Sequence, residues 1–105
     1  MSDRVTIQVS TTGAGERAIS LYPLDEVTEI VCDKKTEGGG GDVDVAFYFS
    51  NGDIITICGA FSMGYGGTGP NGLHDIMVRC GISSYDADYV FSCITKGKHK
   101  FSKNN

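Results

Sequence analysis

At 105 residues the chain is long enough for one domain with one modest core and too short for two. Its 40% apolar and 21% charged residues belong to a chain that folds, not to the low-hydrophobicity, high-charge signature of disorder. The net charge of −4 is unevenly spread: Lys96, Lys98, Lys100 and Lys103 fall in the last ten residues, and removing those four charges leaves −8 on the first 95, an acidic body that excludes general nucleic-acid binding.

In chain order, Val5, Ile7 and Val9 alternate with polar residues and read as a half-buried strand. Thr11 to Gly15 then reads as the turn of a hairpin, with a second strand over 18–24 in which Pro23 marks an edge or an end. The β-branched run 27–32 predicts a third strand. Residues 34–42 contain Gly38 to Gly41 without periodicity and read as a plain flexible connection.

The clearest hairpin follows, with strands over 43–50 and 53–61 around Asn51-Gly52, a pair suited to a type I′ turn. A two-residue turn sets Phe49 opposite Ile54, Phe47 opposite Thr56 and Val45 opposite Cys58. Both faces of this hairpin are apolar, which places it centrally in the sheet. After the stretch from Ser62 to Gly72, Leu73, Ile76, Met77 and Cys80 recur at helical spacing, with Pro70 at the first helical position and Gly81 just past the end. Residues 84–96 read as a second helix, its acids Asp86 and Asp88 near the start and Lys96 at the end, although Tyr89-Val90-Phe91 also suits a strand. Residues 96–105 read as a basic, frayed tail in which Phe101 docks. The expected fold is a single α+β domain over 1–105: a small, mainly antiparallel sheet with one or two helices packed on one face.

Cys32, Cys58, Cys80 and Cys93 are widely spaced, with no Cys-x-x-Cys pair and no histidine at zinc spacing, so neither a metal site nor a cofactor is expected. The Met-Ser-Asp-Arg start opens no apolar leader stretch, and no apolar run approaches the roughly 18 residues that span a bilayer. The expected setting is a reducing cytoplasm, with no membrane role.

The segment with chemical promise is the glycine-rich turn between strand and helix. Backbone without Cβ atoms lets a ligand approach closely, converging N–H groups form an anion nest, and the helix start adds partial positive charge. Candidate ligand-binding residues are Gly64, Tyr65, Gly66, Gly67, Thr68, Gly69 and Asn71, with Tyr65 as a stacking wall and Thr68 and Asn71 as hydrogen-bonding or helix-capping groups. The spacing fits G-x-G-x-x-G, yet the chain lacks the length of a dinucleotide fold, and Pro70 stands where a Walker lysine would be. The same glycines would equally serve tight packing of helix on strand. His74 and His99 lack an evident nucleophile partner, and the pairs Asp42/Asp44 and Asp86/Asp88 offer too few ligands for a cation, so catalysis is not expected.

The string GYGGTGPNGL, Gly64 to Leu73, resembles a motif of small uncharacterised phage and prokaryotic proteins in which GYGG[ST]GP follows a strand and precedes an apolar helix. The resemblance covers about a tenth of the chain, and no established function comes with it. The expectation is a non-catalytic binder of a small anionic or nucleotide-like ligand. Its suggested form is a phage anti-defence protein that sequesters nucleotide second messengers in the host cytoplasm, as a homo-oligomer. The alternative is a protein–protein interaction module such as a small inhibitor of a host enzyme.

Overall fold

The structure, a computed structural model, describes residues 3–103. Five strands form one sheet: β1 Arg4–Gln8, β2 Val27–Lys34, β3 Val43–Phe49, β4 Ile54–Phe61 and β5 Gly97–Ser102, in the spatial order β1-β4-β3-β2-β5. Only β1 and β4 run parallel; the other pairs are antiparallel. Helices α1 Thr12–Ile19, α2 Thr68–Arg79 and the short α3 Ser84–Ala87 complete a small α+β fold.

Alternation decides which face is covered. Ile30 and Cys32 of β2, Val45 and Phe47 of β3 and Ile55 and Ile57 of β4 are buried under the helices, while Val31, Ala46, Tyr48 and Thr56 face the other way and stay half-buried. The helical stripe Leu73, Ile76, Met77 and Cys80 lies fully in this core, as its spacing requires.

Six expectations are corrected. Thr11 to Gly15 is the start of α1, not a hairpin turn: the Thr11 side chain accepts from the Ala14 N–H at 3.1 Å and caps the helix. The strand expected over 18–24 is therefore absent; Ile19 ends α1, and Pro23 leads into a 3-10 turn at Leu24–Glu26. In the β3–β4 hairpin the Phe49 N–H donates to Asp53 O and the Gly52 N–H to Phe49 O, so the loop holds three residues with Gly52 at φ 96°. Pairing thereby slips by one, to Phe47↔Ile55 and Val45↔Ile57, which brings Ile55 and Ile57, not Thr56 and Cys58, to the core. Helical structure in 84–96 ends early, with α3 followed by a 3-10 turn at Asp88–Phe91. The last stretch is not a frayed tail, since residues 97–102 form β5 and its Phe101 is buried opposite Ile30. Pro70 stands third in α2, behind Thr68 and Gly69, where a missing N–H is still without cost.

A kink in β4 positions the site. Gly59 takes φ 84° and β3–β4 pairing shifts between Val43 and Val45, so Ala60 and Phe61 are both buried as the strand leaves the sheet. A Cβ at Gly59 would collide with the Val9 carbonyl. The Ala60 carbonyl accepts from Thr12 Oγ1 at 2.6 Å, tying the start of α1 to the end of β4.

Candidate functional site

The glycine-rich turn is held from below by a second glycine cluster. The Gly40 N–H donates to Met63 O at 2.9 Å and the Gly38 N–H to Ile94 O at 2.7 Å, while the Gly64 N–H donates to Val90 O at 2.8 Å. Residues 38–41, expected as a free connection, are thus stitched to the turn and to the segment after α3. Lys34, with no exposed surface, lies beneath them and donates from Nζ to Thr36 O at 2.9 Å and Gly40 O at 2.8 Å. Sequence reading missed this lysine, because a β2 residue at a core-facing position gives no sign of which carbonyls will meet it.

The candidate residues divide into packed and open positions. A Cβ on Gly64 would lie 2.6 Å from Cys93 O, and its φ is 93°. On Gly67 it would strike the Tyr65 ring, and on Gly69 the Ser62 hydroxyl. These three glycines are accounted for by close packing within the protein. Gly66 alone of the turn's first glycines has open space around it.

Tyr65 folds over Gly67 with its hydroxyl 2.9 Å from Ser62 Oγ, and its relative exposure is 43%. Thr68 is exposed at the first helical position. Asn71 Nδ2 donates back to Gly67 O at 2.8 Å, beside its own backbone N–H at 3.0 Å. Those two hydrogen bonds to one carbonyl steady the residue at the helix start, Gly67, which has no side-chain cap of its own.

Two grooves flank the turn. One, of about 320 Å³, is lined by Thr12, Asp42, Ser62, Tyr65 and Thr68 with backbone of Gly41 and Gly59 to Phe61. The other is a broad depression of about 670 Å³, where Glu16 and Asp75 lie beside Gly67, Thr68, Asn71 and His74. No lysine or arginine lines either. Thr12 and Asp42 were not among the sequence candidates. Thr12 arrives through α1, hidden by its glycines, and Asp42 through the docked 38–41 loop, so neither carried a local signal.

The histidines have partners that the sequence did not disclose. His74 Nε2 lies 2.9 Å from Asp88 Oδ1, and its ring meets Phe91 at 5.3 Å between centroids. His99 Nε2 lies 3.3 Å from Cys93 Sγ but also 2.8 Å from the Thr95 carbonyl. A carbonyl only accepts, so Nε2 carries the proton and is not poised to take one from the thiol. A hydrogen bond from the Tyr89 phenol to Cys93 holds that phenol above its ordinary pKa.

The other thiols are set by burial. It raises the pKa of Cys32 strongly and pushes Cys80 up to about 11. On the open sheet face, hydrogen bonds donated by Lys35 Nζ to Asp33 first and Asp44 second raise the Lys35 pKa, at distances of 3.1 and 3.2 Å. Asp44 is engaged there, so it does not pair with Asp42 at the groove. Among the described residues no helix is long and apolar enough to cross a membrane, and no group of three or more His, Cys, Asp or Glu is placed to hold a metal ion. Comparison with protein-family models, with curated proteins and with solved structures finds no match to this chain.

Proposed function

We propose that the protein is a non-catalytic binder of a small nucleotide-like ligand, seated in the groove of about 320 Å³ between α1, the glycine-rich turn and the start of α2. One observation carries this reading: Tyr65, the first turn of α2, two hydroxyls and the Asp42 carboxylate line a single space. A flat ring finds the half-exposed Tyr65 face, an anionic group finds the partial positive end of α2, and ring N–H donors find Asp42. Asp42 argues against a bare phosphate, which it would repel. Close packing of Gly64, Gly67 and Gly69 leaves Tyr65 and Thr68 as the turn residues whose side chains line the groove. In this reading the biological form is the phage-type one suggested by GYGGTGPNGL, a homo-oligomer that sequesters nucleotide signals in the host cytoplasm.

The test is to denature purified protein and seek a released nucleotide by mass spectrometry, then to measure thermal shifts against a nucleotide panel. At a ligand concentration of 100 Kd, binding adds about 2.7 kcal/mol, a shift of about 10–20 °C for a domain of this size. Tyr65→Ala and Asp42→Asn should each remove most of that shift. Gly66→Val, at an open position outside the groove lining and without positive φ, should leave both the shift and the unliganded melting temperature unchanged. A blank in both the release and the panel sinks the reading.

A second reading, an interaction module, is favoured by Tyr85 and Tyr89, one turn apart and 86% and 45% exposed, beside a groove of about 660 Å³ that also takes in Asp88, Lys100 and Phe101. Exposed aromatic residues around a concavity are the usual anchors of such surfaces. Under that reading Tyr85→Ala with Tyr89→Ala abolishes binding to a host enzyme, and no nucleotide shifts the melting temperature.

A further inference from the structure

The two edges of the sheet are built differently. Edge strand β5 carries Lys98 and Lys100 and lies between Lys96 and Lys103, a guard of like charges against a second strand. Edge strand β1 has none. It reads Arg-Val-Thr-Ile-Gln, has no proline or lysine, and leaves Val5 37% exposed.

Its free backbone groups follow from the pairing with β4. The Ile54 N–H donates to Asp3 O at 2.8 Å and the Val9 N–H to Cys58 O at 2.9 Å, so Asp3 and Val9 face inward. Parallel pairing alternates, and Val5 and Ile7 are therefore inward as well. The backbone N–H and C=O groups of Arg4, Thr6 and Gln8 point away from the sheet.

We propose that β1 is a self-pairing edge, at which a second copy of this chain adds its own β1 antiparallel about a two-fold axis at Thr6. That register sets each Arg4 against the second copy's Gln8 and Thr6 against its counterpart, each pair exchanging two hydrogen bonds through the outward groups. Val5 then meets the second copy's Ile7 as a close, non-hydrogen-bonded pair on the helix-covered face, with Cα atoms about 4.5 Å apart. On the other face Thr6 meets Thr6, a favourable cross-strand pair.

Charge selects the same edge. Each copy carries −4, so two copies repel, but Asp3 and Arg4 cancel along 3–9 and no like charges stand opposite in this register. Self-pairing of β5 would instead crowd lysines together. A contact of five residues spans about 17 Å and buries less than the roughly 1,200 Å² of stable interfaces, so the dimer is weak, with Kd on the order of 10–100 µM.

Sedimentation velocity on the whole protein from about 5 µM to about 1 mM should show a reversible monomer–dimer equilibrium. Thr6→Pro removes an outward N–H without touching the β4 ladder, and Val5→Lys adds the guard charge that β5 already has. Each should weaken the dimer at least about tenfold. Thr6→Cys should form a disulfide-linked dimer on mild oxidation, since a hydrogen-bonded pair sets Cα atoms about 5.5 Å apart, whereas Thr28→Cys on β2 should not. A monomer at every concentration overturns the proposal, as does a dimer untouched by Val5→Lys or one that Thr6→Cys fails to cross-link. Should Thr6→Pro unfold the protein, the other two variants decide.

Discussion

Lys34 shows how much of the site rests on single side chains. A buried ammonium is costly unless its protons are bonded, and here the Thr36 and Gly40 carbonyls take two of them. Both carbonyls belong to the loop that supports the glycine-rich turn. Lys34→Met keeps the length and removes the donors, leaving two carbonyls to find water by opening the loop. The expected loss is about 1–3 kcal/mol in urea unfolding. Hydrogen exchange at the Gly38 and Gly40 amides should accelerate more than elsewhere, because their bonds to Ile94 and Met63 depend on the same loop. Equal acceleration throughout the protein would show that Lys34 supports the whole core instead. The lysine was illegible in the sequence for a plain reason: its partners are backbone atoms, which every residue has.

At the scale of elements, glycines govern how closely the layers approach. Gly15 of α1 rests on Ala60 of β4, where a Cβ would overlap the Ala60 side chain, and Gly72 of α2 faces Thr12 and Glu16 of α1. A helix that buries Gly15 and Ile19 beside Ala14 and Ala18 holds one large apolar side chain and two glycines, Gly13 and Gly15, which is why Thr11 to Gly15 reads as a turn. The Thr11 cap was the one local sign of it. Gly15→Ala gains about 1 kcal/mol of helix propensity yet forces α1 off the sheet, so a net loss of about 1–3 kcal/mol is expected from denaturant midpoints. Gly72→Ala should cost less, since the Thr12 and Glu16 side chains it meets can turn aside. If Gly15→Ala stabilised the protein, the close α1–β4 approach would be wrong. By contrast α2 was legible, because its apolar stripe and its glycine stop at Gly81 (φ 101°) are local features, although Pro70 marked its start two residues late.

For the whole molecule, the thiols couple core integrity to pH. The folded-state pKa values of Cys32 and Cys80 lie above the ordinary thiol value of 9.0, so between the unfolded and folded values the native state binds more protons. Their stability contribution is complete below about pH 9 and is lost as pH rises through the folded values. Denaturant unfolding should therefore show lower stability at pH 10 than at pH 8, and replacing Cys32 and Cys80 with alanine should shrink that difference. Lys35 does not confuse the comparison, because its pKa is raised above 10.5 and its contribution fades only at higher pH. An unchanged pH dependence in the double variant would assign the loss to other groups.

The sequence by itself determined the fold class, the central β3–β4 hairpin, α2 and the strand–turn–helix setting of residues 64–71, because alternation, helical spacing and turn chemistry act over a few residues. Tertiary structure decided the rest. A one-residue difference in loop length chose between Ile55 and Thr56 for the core, and pairing with β2 converted a basic tail into β5. Docking of residues 38–41 beneath the turn brought Asp42 to the groove, and α1 brought Thr12. Those outcomes depend on contacts between segments far apart in the chain, whose free energy no local pattern contains.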